Sequence, residues 1–333
     1  MTRAAGLAAA VALALVPARA AAQEPIPPPA PPPPPPAPAP VPAPAVPRIA
    51  MEAKRAHAIG GDKLVLQGRA FRLRGTMTPV VPVRQRVELW VYRDGRRIRT
   101  VRVAVGPDGT FSRRMPARRV GRISVRAVHP ATPELAAATG PKVTVHAVAA
   151  RAAAGDGGAL VRLLQRGLDR LGYAVPRNGS FDAATGRAVM AFRKVNQLAR
   201  RYDADRTVVA RVLARRGAFK PRHPDAGRHV EADISRQVLA LIDGGKVVDT
   251  YHTSTGAPAT PTIVGSFRVY RKDPGTNALG MVHSSYFIRG YAIHGYVDVP
   301  AFNASHGCLR VPIPDAWRIF AWVRHGDRVI VYP

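Results

Sequence analysis

Along residues 86–105 apolar and polar side chains alternate with a period of two. Val87, Leu89 and Val91 form one apolar row, and Val101, Val103 and Val105 form another. That period is the mark of half-buried strands. Asp94-Gly95 between the rows is a hairpin turn signal. Pro107-Asp108-Gly109 marks a second turn before Phe111, and RISVRAV and KVTVHAV add two more alternating runs. About seven short strands with no helical period predict a β-sandwich over residues 49–150, loosely immunoglobulin-like. No motif in it carries chemistry.

At residue 157 the period changes. In GALVRLLQRGLDRLGY, Leu160, Leu164, Leu168 and Leu171 recur at helical spacing, and Gly172 ends the helix. Asn178-Gly179-Ser180-Phe181 reads as a turn. Asp182 is placed to cap a second helix whose Val189, Phe192 and Val195 share a face. A third helix is expected over roughly 206–215. VRLLQRGLDRLGY, NGSFD and TGRAVMAFRKVNQL together resemble the three-helix peptidoglycan-binding module, here over residues 157–217. Such modules are not enzymes.

Strand patterning returns in residues 227–333. Two strands flank Asp243-Gly244-Gly245, GSFRVYR is expected to be a third, SSYFIRGYAIHG runs into His294, and DRVIVY closes the chain. The expected fold class is therefore multidomain: a sandwich, a small helical bundle and a mostly-β C-terminal domain.

The N-terminal end adds compartment. Arg3, an apolar run over residues 4–16, and Ala18, Ala20 and Ala22 match a signal peptide over residues 1–22, cut after Ala20 or Ala22. The run is shorter than the ~20 residues that span a membrane. Residues 23–48 are a Pro/Ala tract, expected to be an extended spacer. The chain is thus expected outside the cytoplasm, in the cell wall or periplasm. Lys and Arg number 50 against 21 Asp and Glu, a net charge of +29. Such a charge favours polyanions. Export and the lack of zinc-finger or RNA-binding motifs exclude nucleic acid, leaving anionic wall polymers or lipid headgroups.

The chain has one cysteine, Cys308, within NASHGCLRV. An exported chain with a single cysteine cannot form an internal disulfide, so the residue is a reactive-thiol candidate. A metal site would need further close ligands, and residues 300–314 hold no carboxylate, Asp298 and Asp315 lying outside. Only His325 follows Cys308, so a base must come from upstream, and His294, followed by Gly295, is the natural one. A neighbouring imidazole can take the thiol proton or stabilise the thiolate. Backbone N–H groups at Gly307 and Cys308 can hold an oxyanion.

AIHGY followed by ASHGCLRV resembles the L,D-transpeptidase catalytic domain of YkuD type. The resemblance extends through ADISRQVLALIDGGKVV, TSTG and TPTIVGSFRV, although Ile263-Val264 interrupt the usual Thr-Pro-Thr-Gly run. It implies Cys308 as nucleophile and His294 as base, oriented through the Gly295 carbonyl. It also implies that His306 and Gly307 shape the oxyanion side, Ser305 supports that loop, and Arg310 meets a substrate carboxylate. A surface salt bridge is the other reading of Arg310. The implied reaction joins peptidoglycan stem peptides through a thioester, making 3→3 cross-links with no cofactor or metal. A monomer is expected. An L,D-carboxypeptidase and a non-enzymatic wall anchor are the alternatives.

Overall fold

The computed structural model describes residues 43–333. The signal peptide and nearly all of the proline-rich tract lie outside the described residues. No helix among the described residues is long and apolar enough to cross a membrane.

The first ten strands are β1 (Arg48–Lys54), β2 (His57–Ile59), β3 (Asp62–Leu66), β4 (Ala70–Thr78) and β5 (Arg86–Arg93), then β6 (Arg96–Ala104), β7 (Thr110–Pro116), β8 (Gly121–His129), β9 (Ala138–Thr139) and β10 (Val143–Val148). One sheet has the order β1-β4-β7. The other runs β2-β3-β10-β8-β5-β6, with β9 added to β8. Phe71, Leu73 and Met77 of the small sheet meet Val87, Leu89, Val91 and Val125 of the large one in a single core. The turn at Asp94-Gly95 has positive φ at both residues, which matches the twist of the strands it joins. Ten strands form where about seven were expected, because β2, β3 and β9 are too short for their alternation to register.

Three helices follow: α1 (Ala159–Arg170), α2 (Ala183–Val195) and α3 (Arg206–Leu213). Leu164, Leu168, Val189, Phe192, Val208 and Val212 close one core. Leu160 is only half-buried, while Val161 is fully inside. The Asp182 carboxylate accepts the Thr185 N–H at 2.8 Å, capping α2, and Asp205 caps α3 through Val208. Gln165 is fully buried and holds the NGSFD turn through Asn178, Ser180, Thr185 and the Gly179 N–H.

The remaining strands are β11 (His229–Asp233), β12 (Val238–Asp243), β13 (Lys246–His252), β14 (Gly265–Arg268) and β15 (Arg271–Thr276), then β16 (Val282–Ile288), β17 (Tyr291–Tyr296), β18 (Leu309–Pro312) and β19 (Arg328–Tyr332). Helix α4 (Ile313–Trp322) lies between the last two. One sheet has the order β13-β12-β11-β19-β14 and the other β15-β16-β17-β18. Two sequence expectations are corrected here. GSFRVYR is not one strand: the Val269 N–H bonds to the Asp327 carbonyl, whereas the Tyr270 N–H bonds to Tyr286 of β16, so the chain changes sheets between them. SSYFIRGYAIHG is a hairpin, β16 and β17, turning at Arg289-Gly290. Helix α4 has no counterpart in the sequence reading. Its flanking Pro312 and Pro314 read as breakers, yet proline is well tolerated in a first helical turn.

The helical unit is bolted to the C-terminal sheets. Arg187 of α2 makes a two-pronged ion pair with Asp315 of α4, at 2.8 and 2.9 Å, with both side chains mostly buried. The buried Glu231 carboxylate accepts the N–H groups of Arg222 and His223 and the Tyr332 hydroxyl, fixing the connector. Asp182→Ala should cost about 1 kcal/mol of stability. Chemical denaturation followed by helical circular dichroism checks this; an unchanged midpoint and slope would show the cap to be idle.

Candidate functional site

Strands β17 and β18 run parallel, with Ile293 opposite Leu309, His294 opposite Arg310 and Gly295 opposite Val311. Ile293, Leu309 and Val311 enter the core with Ala316 and Ile319 of α4. Side chains alternate across a strand, so His294 and Arg310 occupy the other face, and Cys308, two residues before Arg310, shares it. A Cβ on Gly295 would lie 2.7 Å from the Ala316 methyl. The glycine after the histidine therefore lets α4 pack directly behind the site.

His294 is buried, and its Nδ1 lies 3.0 Å from the Gly295 carbonyl oxygen. A carbonyl can only accept, so Nδ1 carries the proton and Nε2 holds the free lone pair. Burial lowers the imidazole from 6.5 to about 4, and the Arg310 charge adds to that effect. Cys308 is half-buried against Met281, Tyr286 and Ala292, with Sγ 3.9 Å from the Gly290 carbonyl. Burial raises its thiol above the ordinary value, against the opposing influences of the Ala292 backbone and Arg310. Desolvation thus penalises the charged form of each partner and disfavours the imidazolium–thiolate pair that the sequence allows.

The turn before Cys308 is held from several sides. Ser305 Oγ donates to the Cys308 carbonyl at 2.6 Å and accepts the Gly307 N–H at 3.1 Å. Thr262 donates to the Gly307 carbonyl at 2.8 Å. Gly307 has φ +108°, and a Cβ there would fall 1.8 Å from the Tyr291 ring. No other residue fits. The Gly307 N–H, an oxyanion candidate in the sequence, is engaged by Ser305 in this substrate-free arrangement. His306 lies exposed on the rim of the turn.

Residues 227–331 match the YkuD family, the L,D-transpeptidase catalytic domain. Residues 157–200 match the peptidoglycan binding domain family. An L,D-transpeptidase structure from Xylanimonas cellulosilytica is 31% identical, covering 54% of this chain and 97% of that one, with a TM-score of 0.50. The chain belongs to the L,D-transpeptidase family. The catalytic domain of the Enterococcus faecium L,D-transpeptidase is 26% identical over 32% of this chain and 97% of that one, with a TM-score of 0.28. Mycobacterium tuberculosis L,D-transpeptidase 1 is 25% identical over 32% and 62%, with a TM-score of 0.27. No curated protein matches the chain.

In this member of the family the Arg310 main chain pairs in both directions with Ser254 at 3.0 Å, and Thr253 Oγ1 donates to the Arg310 carbonyl at 2.6 Å. The guanidinium lies 4.2 Å from the centre of the Tyr296 ring and donates to the Ala304 carbonyl at 3.4 Å. No Asp or Glu among the described residues forms an ion pair with it, so the salt-bridge reading has no partner here.

Sequence reasoning missed the support beneath Thr253–Gly256. Lys194 of α2 is 2% exposed and donates to the Thr253 carbonyl at 2.8 Å and the Gln237 carbonyl at 3.1 Å. His252 Nδ1 lies 3.2 Å away. The Gln237 amide in turn holds Thr255 through both its N–H and its hydroxyl. The Thr255 carbonyl accepts the N–H groups of Ala304 and Ser305. A basic residue at the end of an amphipathic helix normally reads as solvated surface, so no sequence signal marks this one. Burial pushes the Lys194 amine down to about 6. Between about 6 and the ordinary 10.5 the unfolded chain binds a proton that the folded protein does not, so this group makes folding more favourable as pH rises through that window. Lys194→Met should flatten that slope and leave carbonyls unpaired, costing ~1–3 kcal/mol at high pH. Thermal melts from pH 6 to 10 check both; an unchanged slope would show that Lys194 is not the titrating group.

Proposed function

We propose that the protein is a peptidoglycan L,D-transpeptidase that forms 3→3 cross-links by cysteine acyl transfer. The observation that carries this reading is the face of β17 and β18 that a half-buried thiol shares with an imidazole of fixed tautomer. Cys308 Sγ attacks the carbonyl of the third residue of a tetrapeptide stem while His294 Nε2 takes the thiol proton. Because burial favours both neutral forms, deprotonation accompanies attack. The Cys308 N–H, with His306 at the rim, faces the developing oxyanion; Ser305, through the turn, and Gly295, through the His294 ring, set the geometry. Collapse expels the terminal D-alanine as an amine, which takes the proton from His294. An amine of a second stem then attacks the thioester, His294 accepts its proton, and the thiol is released protonated. Arg310 binds a substrate carboxylate, since its guanidinium has no ion-pair partner of its own.

The domain assignments follow the same reading. The signal peptide exports the chain to the cell wall or periplasm, and the proline-rich tract spaces it from its point of export. The two-sheet domain is an immunoglobulin-like spacer. Its outer face aligns Lys54, Arg72 and Arg114 in one row across β1, β4 and β7, which suits anionic wall polymers or lipid headgroups. The three helices form the peptidoglycan-binding module, and the protein works as a monomer without cofactor.

Mass spectrometry of muropeptides incubated with the protein tests the reaction. Cross-linked dimers are expected, lost in Cys308→Ser. Trimmed monomers alone would mean that water is the acceptor and the protein is an L,D-carboxypeptidase; unchanged muropeptides would leave wall anchoring.

A neutral resting pair, which burial favours, gives a pH prediction. His294 is unprotonated above about 4, so the acid limb of kcat/KM should fall near 4 and not near 6.5. Alkylation of Cys308 by iodoacetamide needs the thiolate, so in the free protein it should titrate above the ordinary thiol range, ~8.5. An alkylation midpoint near 6 would instead show a resting ion pair.

A further inference from the structure

A cleft of about 310 Å³ opens between the helical unit and the C-terminal sheets, and the ring of Tyr296 in its lining lies edge-on to His294 with centroids 5.7 Å apart. Its lining includes Tyr202 from the segment after α2, Tyr296 at the end of β17, and Val297 and Ile313 at the rim. Tyr202 is 48% exposed and Val297 83%. The walls are fixed relative to each other. The Arg187–Asp315 ion pair joins α2 to α4 beside the cleft, and Lys194 ties α2 to Thr253 beneath it. The Tyr202 ring packs across Gly186 of α2 and edge-on to buried His252, with centroids 6.2 Å apart.

The lining indicates the ligand's chemistry. The one cation in the lining, Arg187, is already neutralised by Asp315, and the Arg310 guanidinium lies behind the Tyr296 ring as the group assigned to a stem carboxylate. The cleft offers tyrosine rings and small apolar surfaces, which suit a neutral ligand with apolar faces and hydroxyl edges. A sugar ring has that character. Position agrees. Tyr296 stands opposite Pro312 in the β17–β18 register, and both line the cleft. From Cys308 to Pro312 is four residues of extended chain, about 13 Å at ~3.3 Å each. Three residues of extended stem reach about 10 Å. A stem whose third residue sits at Cys308 and whose chain follows β18 past Arg310 therefore delivers its sugar end to this cleft.

We propose that the cleft between the helical unit and the C-terminal sheets is a saccharide subsite, with Tyr202 as its stacking platform. The proposal rests on the transpeptidase reading. It makes the helical unit a wall of the substrate site.

The test compares a free tetrapeptide with the same tetrapeptide carrying its disaccharide, using wild type, Tyr202→Ala and Tyr202→Phe. The disaccharide should raise wild-type kcat/KM about tenfold, equivalent to about 1.4 kcal/mol. Tyr202→Ala should lose that gain and leave turnover of the free tetrapeptide unchanged, whereas Tyr202→Phe should keep the gain. Equal use of both substrates by wild type, or equal slowing of both by Tyr202→Ala, would overturn the subsite. Ligand-observed NMR with the stem-free disaccharide reads binding without turnover. A signal lost in Tyr202→Ala supports the subsite even if neither peptide is processed, in which case the transpeptidase reading fails alone. No signal with wild type, together with no gain from the disaccharide, overturns the subsite alone.

Discussion

The site depends on the two-sided backbone pairing of β18. On one side it adds in parallel to β17, which puts His294 opposite Arg310 and sets Cys308 just ahead of them. On the other side Ser254 bonds the Arg310 main chain in both directions, and Thr253 caps the Arg310 carbonyl. A short strand held on both edges has little freedom to shift register. The tight turn that presents the thiol can then be built on it, with Ser305 and Thr262 fixing the peptide groups on either side of Gly307. Preorganisation of this kind matters because misplaced groups must be reoriented at the moment of reaction.

The second constraint is dielectric. Burial favours the neutral imidazole and the neutral thiol, and Arg310 pushes the imidazole the same way. A neutral thiol also limits adventitious oxidation, which follows thiolate character. The Gly295 carbonyl contributes by fixing the ring and leaving Nε2 as the only basic nitrogen.

How much of this was legible in the sequence differs by residue. The hairpin at Asp94-Gly95 and the helices with their Asp182 cap were visible, because local chemistry alone specifies them. Cys308, His294 and Gly295 stood out from type and spacing. Helix α4 did not, because Pro312 and Pro314 resemble breakers and its burial is set by Gly295, distant in sequence. The sheet change at Val269-Tyr270 was hidden for a similar reason: both halves alternate as strand, and only their partners differ. Lys194 was the largest omission. Its role comes from carbonyls of Gln237 and Thr253 that no periodicity can place beside it. It also makes the helical unit a packed support of the Thr253–Gly256 segment.

The central claim is that Cys308 carries the acyl group. Intact-protein mass spectrometry after rapid mixing with a tetrapeptide, in the absence of acceptor amine, reads this directly. The account predicts one added tripeptide acyl group with loss of D-alanine, mapped by digestion to Cys308, labile to hydroxylamine and missing from Cys308→Ser. Cross-linked product formed at the wild-type rate by Cys308→Ser, or an acyl group mapped to another residue, would contradict it.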